Sequence, residues 1–467
     1  MLAFVVPASP ECLLSCNPVR RSTTSRFGFI ATGFSALIHP LLHSSNHEGG
    51  TMSVRILRHS LNMLAAAGLF AISLTSYADI EQSNLDAVTA DLQTRIDAGK
   101  LSGAVVMVAQ DGRVLMNEAL GYQNVEDQVP MSTDTIFRIF SMTKPVTGTA
   151  LMMLWDEGKF QLEDPVEKHL PELAGMQVMV EQDEDGNWVT EPAEHPMTVR
   201  ELMSHTGGLA YTPPLSQGPV PIAYAEAGIM NLTGASLNES IPALKDIPLT
   251  YQPGTQWVYS ISVDVQGYMV ERLSGMSFGE FLQTRLFEPL GMVDTGFYVQ
   301  PGNHDRLSRQ YAPNSDGTLR RTDDRGGIAA FDFKSAPRFE SGGGGLTSTA
   351  ADYMQFVQMH LKKGELNGVR VLSEEAIDLM RSNQLPDAVP NIGQLYPGNV
   401  FGLDFAIVAD SDAYQDASEG THWWWGIAGS WFWIDPVENI AFIGMIQNDD
   451  ILYSLQVHAA ARAAIYK

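Results

Sequence analysis

The chain has 467 residues, 45% of them hydrophobic and 18% charged, with 41 Gly and 25 Pro. That length predicts two or three structural units, or one large enzyme with an insertion, and the composition excludes a disordered or collagen-like chain. A formal charge of −25 argues against a nucleic-acid backbone or an anionic membrane face as partner, and only two cysteines, Cys12 and Cys16, exclude a disulfide framework.

Residues 1–51 show no coherent pattern and are read as an upstream extension, with the true start expected at Met52. Residues 52–78 read as a signal peptide. Arg55 and Arg58 form a positive start, Leu61 to Leu74 an apolar stretch, and Ser76-Tyr77-Ala78 offers small residues where a signal peptidase cuts. The stretch is short for a membrane span, which needs about 20 apolar residues. The expectation is cleavage after Ala78, a periplasmic or secreted protein, and no stable membrane span afterwards. Residues 1–78 hold five Arg and two Glu, so without them the chain is more acidic still and has no cysteine.

Leu85, Val88, Leu92 and Ile96 are spaced at three and four, which predicts an amphipathic helix over 80–98. GAVVMVAQ and RVLMNEALGY follow as strands around Asp111-Gly112, a strong hairpin signal. Helical stretches are expected at 146–157, 198–204, 262–273 and 278–287, with polar surface loops at 181–196 and 300–327. After Gly342–Gly345, helices at 349–362 and 373–382 lead back to strands at 400–408, 422–434 and 438–446, the last two joined at Asp435-Pro436. Residues 450–466 read as a terminal helix. The expected fold is therefore α+β: an antiparallel sheet built from both ends of the mature chain, flanked by helices. Residues 79–140 and 342–467 would form an α/β part and 141–341 an inserted, mainly helical domain, with the active site between them.

Three chemistries can be weighed on the residues. Gly275-Met276-Ser277-Phe278-Gly279 matches G-x-S-x-G, but that elbow needs a strand before the serine. Here helical spacing precedes and follows, so Ser277 is expected to cap a helix. Eleven histidines are scattered without ligand spacing, and neither a metal nor any other cofactor is expected. The third candidate is Ser141-Met142-Thr143-Lys144, followed by the apolar run PVTGTALMMLW. Serine and lysine three apart share one helix face. A serine at the helix start lies at the positive end of the dipole, and a lysine in an apolar cleft loses solvation and becomes a usable base. On spacing alone, a capping serine with a surface lysine fits equally well.

The run IFRIFSMTKPVTGTALMMLWDEGKFQLEDPVEKHLPEL resembles the nucleophile region of the serine β-lactamase-like superfamily, which includes class C β-lactamases, D-Ala-D-Ala peptidases and family VIII carboxylesterases. The similarity recurs, in the family's order, at Met197–Leu209, Tyr259–Gly275, Ser341–Asp352 and Trp424–Pro436. This resemblance implies Ser141 as acylated nucleophile, Lys144 as its base, and Tyr259, opening Tyr259-Ser260-Ile261 in place of Y-x-N, as proton relay, with Lys144 expected to keep the phenol acidic. It implies a third element at Trp424-Trp425-Gly426 in place of K-T-G, within one residue of register. The N–H groups of Ser141 and Ile427 would form the oxyanion hole, and Ser260, Ile261, Trp424, Trp425 and Gly426 would contact substrate. His205 is expected to order its loop.

Two departures bear on substrate. Ile261 stands where the family has asparagine, and Trp424 where it has lysine. Losing those groups removes hydrogen bonds worth about 1.5–3 kcal/mol each when made to an ion. An apolar pocket with Trp423, Trp424 and Trp425 suits an apolar or aromatic acyl or alcohol group, one or two of the three facing the cleft. The expected function is an exported serine hydrolase, foremost a carboxylesterase for short or aromatic acyl esters, its partner a small-molecule ester or amide. The alternatives are a β-lactamase or D-alanyl-D-alanine carboxypeptidase related to penicillin-binding proteins, or a non-catalytic binder of cell-wall peptide.

Overall fold

The computed structural model describes residues 79–230, 234–323, 332–414 and 417–467. The signal peptide, its cut after Ala78, and both cysteines lie outside the described residues.

The chain begins with α1 (Gln82–Asp97), whose Leu85, Val88 and Leu92 are buried as their spacing predicts. β1 (Gly103–Gln110) and β2 (Arg113–Asn124) follow, turned at Asp111 and Gly112, both with positive φ. Every residue of β1 is buried, as its continuous apolar run requires. A two-residue β3 (Val129–Pro130) completes that edge. The principal middle helices are α2 (Thr143–Asp156) and α3 (Ser262–Ser274), packed on each other. α2 is buried on all sides, residues 143–154 without exception, polar Lys144, Thr147 and Thr149 included.

The return half consists of α4 (Ala350–Leu361), β4 (Asn399–Phe401), β5 (Ala406–Val408), β6 (His422–Trp425), β7 (Trp431–Asp435), β8 (Ile440–Met445) and α5 (Ile451–Ile465). All eight strands form one antiparallel sheet in the order β4-β5-β6-β7-β8-β1-β2-β3. The two ends of the chain therefore meet at its middle, where Val105 pairs with Met445 and Gln110 with Ile440. α4 packs across β7, β8 and β1, and α1 across β1 and β2. One apolar core runs from α2 and α3 into the sheet without a break at residues 141 or 341.

Several expected elements take a different form. The stretch 400–408 is two short strands folded on each other, because Asp404 has φ +63° and turns the chain. The stretch 422–434 is likewise a hairpin, β6 and β7, around Gly426–Ser430. The polar loop 181–196 joins a small sheet, Gln177–Gln182 pairing with Trp188–Pro192. Within 300–323, Tyr311–Pro313 pairs with Leu319–Arg321. Among the described residues, no helix is long and apolar enough to cross a membrane.

Candidate active site

Phe137–Arg138 pairs with Thr347–Ser348, and the Ile139 N–H donates to the Leu346 carbonyl at 3.1 Å, which fixes the approach to Ser141. A 3₁₀ turn, Phe140–Met142, then feeds directly into α2. Phe140 has φ +42°, a conformation that a bulky side chain adopts only when its surroundings impose it. Its ring is held edge-on by Phe333 at 6.0 Å.

One turn along, the Lys144 Nζ lies 3.2 Å from Ser141 Oγ and donates to the Gly343 carbonyl at 2.5 Å. Lys144 is 1% exposed. Burial lowers its pKa from 10.5 to about 7, the negative fields of Asp264 and Asp404 offsetting part of that effect. The glycine run explains how a backbone carbonyl comes so close. A Cβ on Gly342 would stand 2.4 Å from the Val263 carbonyl oxygen, and one on Gly345 2.9 Å from the Ser341 oxygen. The segment is thus pressed between α2 and α3, with Thr147 Oγ1 donating to Gly342 and Asp264 Oδ1 accepting from Ser341 Oγ and the Gly343 N–H.

Tyr259 reaches the same place from the loop before α3. Lys144 Nζ sits 4.5 Å from the centre of its ring, and Trp424 Nε1 donates to its hydroxyl at 3.0 Å. The sequence expectation that Lys144 keeps this phenol acidic is corrected. Burial raises the Tyr259 pKa well above that of an ordinary phenol, and hydrogen bonds with Ser141 and Trp424 offset only part of the rise. A lysine that is itself easily neutralised supplies little positive field.

The three indoles diverge, because successive strand residues point to opposite faces. Trp424 N–H goes to Tyr259, Trp423 to Asn399 Oδ1 at 2.8 Å, and Trp425 to the Tyr396 hydroxyl at 3.0 Å. Gly426 lies against the turn that carries Ser141: a Cβ there would meet the Ile139 carbonyl oxygen at 2.4 Å. The Ile427 N–H forms no hydrogen bond within the described residues.

A family profile described as Beta-lactamase matches residues 88–466. The chain belongs to the Beta-lactamase family. It is 31% identical to esterase EstB of Burkholderia gladioli, over 75% of this chain and 88% of that one. It is 27% identical to a lovastatin esterase of Penicillium rubens, over 76% and 91%. Among solved structures it superposes on EstCE1, described as a hydrolase with promiscuous acyltransferase activity, with a TM-score of 0.70, 27% identity, and coverage of 83% and 99%. Its fold is the β-lactamase/transpeptidase-like one, and the protein is a serine hydrolase of this family.

Other family positions differ from the sequence expectation. Ser260 and Ile261, expected against substrate, are 1% and 0% exposed. The Ser260 hydroxyl is held by His205 Nδ1 at 3.0 Å and Ser262 Oγ at 2.7 Å, so it faces the protein rather than a ligand. His205 accepts the Ser260 N–H on the same nitrogen, and burial keeps its pKa well below 6.5; it orders the loop and heads no Ser-His-Asp array. Ser277 caps Phe278–Leu282 by accepting the Glu280 N–H, and Gly275 ends α3 with a left-handed φ of +75°, so no elbow exists there.

Sequence reading missed the groups behind Lys144. Asp264 and Gln266 are buried on α3, and Gln266 donates to Asp404 at 3.2 Å. Gly148, one turn beyond Lys144, leaves room for Asp404, whose Oδ2 would lie 2.5 Å from an added Cβ. Charged residues on the apolar side of a helix were the available signal for Asp264. Tyr396, in a Pro- and Gly-rich loop, gave none.

Proposed function

We propose that the protein is an exported carboxylesterase that acts on short-chain or aromatic acyl esters through an acyl-enzyme on Ser141. The observation that carries this reading is the Ser141 Oγ to Lys144 Nζ contact of 3.2 Å on a buried amine that is half neutral near pH 7.

In this reading the neutral Lys144 amine takes the Ser141 proton as Oγ attacks the ester carbonyl. Negative charge gathers on the carbonyl oxygen, where the N–H groups of Ser141 and Ile427 stabilise it. The C–O bond to the alcohol breaks, and the leaving oxygen takes the Tyr259 proton, which the Lys144 ammonium replaces. Trp424 favours this direction, because indole is only a donor, so the phenol oxygen accepts from it and keeps its own O–H free to give. Water then enters, and the same groups run in reverse to release the acid and restore Ser141.

Preference for esters rests on Trp424, which stands where the resemblance implies a lysine and offers no charge to a substrate carboxylate. Export rests on the pattern of residues 52–78 alone. The esterase names of two relatives support the reading, and the acyltransferase activity named for EstCE1 supports a second: an alcohol replacing water as acceptor of the acyl group.

The test is intact-mass detection of an acyl adduct over a panel of small esters and β-lactams, with Ser141→Ala as control. A transient adduct from esters, absent in the variant, is the expected result. An adduct and turnover from a cephalosporin alone would replace esterase by β-lactamase or peptidase chemistry. Failure of a fluorophosphonate to label wild type would favour a non-catalytic binder of cell-wall peptide.

A further inference from the structure

The Ile427 N–H belongs to the Gly426–Ser430 turn, in which the carbonyls of Gly426, Ala428, Gly429 and Ser430 each accept a hydrogen bond. Gly426 donates to the Ser430 carbonyl at 2.7 Å, Gly429 donates to the Gly426 carbonyl at 2.7 Å, and Asn448 donates to the Ala428 carbonyl at 2.8 Å. The Gly429 carbonyl is taken by a side chain from the last helix: His458 Nε2 donates to it at 2.8 Å.

His458 is built for that single bond. Its ring lies nearly parallel to the Trp431 ring at 4.5 Å and edge-on to Trp425 at 6.0 Å. Burial pushes its pKa down to about 3, so it is neutral at any working pH and holds one proton, which the carbonyl acceptor assigns to Nε2. Gly429 has φ +90°, and a Cβ there would stand 2.6 Å from Ser454 Oγ, so the turn rests directly on α5.

Three peptide planes, Gly429–Ser430, Ala428–Gly429 and Gly426–Ile427, link His458 to the Ile427 N–H. In a trans peptide the C=O and the following N–H point in opposite directions. The Gly426 carbonyl and the Ile427 N–H are the two ends of one such plane. Gly429 N–H holds the carbonyl end, and His458 holds Gly429 through its other side.

We infer that His458 is a positioning residue for the oxyanion site: by fixing the Gly429 carbonyl it holds the turn in which the Gly426–Ile427 peptide aims its N–H at the reacting carbonyl. This rests on the reading of Ile427 as an oxyanion donor. Among the described residues no hydrogen bond or ring contact joins His458 to Ser141, Lys144 or Tyr259, so its influence is expected on the transition state and not on the bases.

The test compares His458→Gln, whose amide reaches the position of Nε2, with His458→Asn, whose shorter amide does not. Both variants are polar and remove the ring alike. On p-nitrophenyl butyrate, the Asn variant is expected to lose roughly 10- to 100-fold in kcat with KM within about twofold, the pattern of a lost transition-state donor. The Gln variant should recover most of that loss, and both should keep the wild-type acid limb of the pH profile. Affinity for a trifluoromethyl ketone, which forms a tetrahedral adduct, should fall in step with kcat. Equal activity of Gln and Asn variants, or a loss confined to KM, would overturn the inference. Failure of the wild type to acylate at Ser141 would instead overturn the esterase reading, so the two failures are told apart by labelling the wild type first.

Discussion

Lys144 pairs a reactive amine with a place that penalises its charge. Among the described residues its hydrogen-bonding neighbours are a serine hydroxyl and a carbonyl, neither of which carries a charge, and the carboxylates of Asp264 and Asp404 act on it through space. Since the proposed reaction needs the neutral amine, kcat/KM for an ester should rise with pH, about tenfold per pH unit below the folded pKa of about 7, and level off above it. Lys144→Arg should lose activity at every pH, because a guanidinium stays protonated. The lowered pKa bears on stability as well. Between the folded value of about 7 and the ordinary 10.5, the unfolded chain binds more protons than the native one, so this site's contribution improves as pH rises through that window. At pH 7 and below it opposes folding by a few kcal/mol, since each tenfold loss of proton affinity on folding costs roughly 1.4 kcal/mol. Lys144→Met should therefore be inactive yet melt higher than wild type at pH 7, with the gap closing toward pH 10. A variant that melts lower at pH 7 would show that the amine is held in its charged form.

At the level of elements, short stretches decide where those side chains sit. The turn that follows β6 has Gly426 where its backbone meets the Ile139 carbonyl, with only 2.4 Å for a Cβ. Gly426→Ala must push β6 and its turn away from the Ser141 turn, and with them the Ile427 N–H. The expected effect is a loss of at least about 100-fold in kcat, with Ser141 still labelled slowly by a fluorophosphonate, as for removal of an oxyanion donor. Wild-type kcat in that variant would sink the assignment of Ile427. The need for glycine there was not readable, since nothing local in HWWWGIAGS says what backbone lies opposite. The same reason hid the turn itself. Residues 422–434 read as one strand because aromatic residues crowd both sides of Gly426–Ser430, and a bend at Gly429, seated on α5, divides it. What was legible depends on local pattern: the period of α1, the Asp111-Gly112 turn, the apolar run that ends α2, and the Ser141/Lys144 spacing. Ser260 shows the limit. Its place in the motif suggested substrate, and only the packing of His205 turned it inward.

At the scale of the whole molecule, the sheet joins residues that are far apart in the chain. β1 is placed between β2, its hairpin partner, and β8, which arrives more than three hundred residues later. Until β8 and α4 are in place, β1 lacks its second strand neighbour and the helix that packs on it from the return half, so the early segment has no stable fold of its own. The middle of the chain is no more independent. Met142, Val146 and Leu151 of the segment that carries Ser141, Val265 and Met269 of α3, and Val106, Phe432 and Ile443 of the sheet belong to one continuous core. The core thus continues across both expected boundaries, 141 and 341. Such a core predicts a single unfolding transition. The probes to test it are already separated in the chain. Five of the eight tryptophans lie in the β6–β7 hairpin, so fluorescence reports the sheet, while far-UV circular dichroism is weighted toward helices that include α2 and α3. The two midpoints, and the loss of hydrolase activity, should coincide on heating or in urea. Helical signal surviving beyond the fluorescence change would mean that residues 141–341 hold together without the sheet, and the shared core would then be two cores in contact.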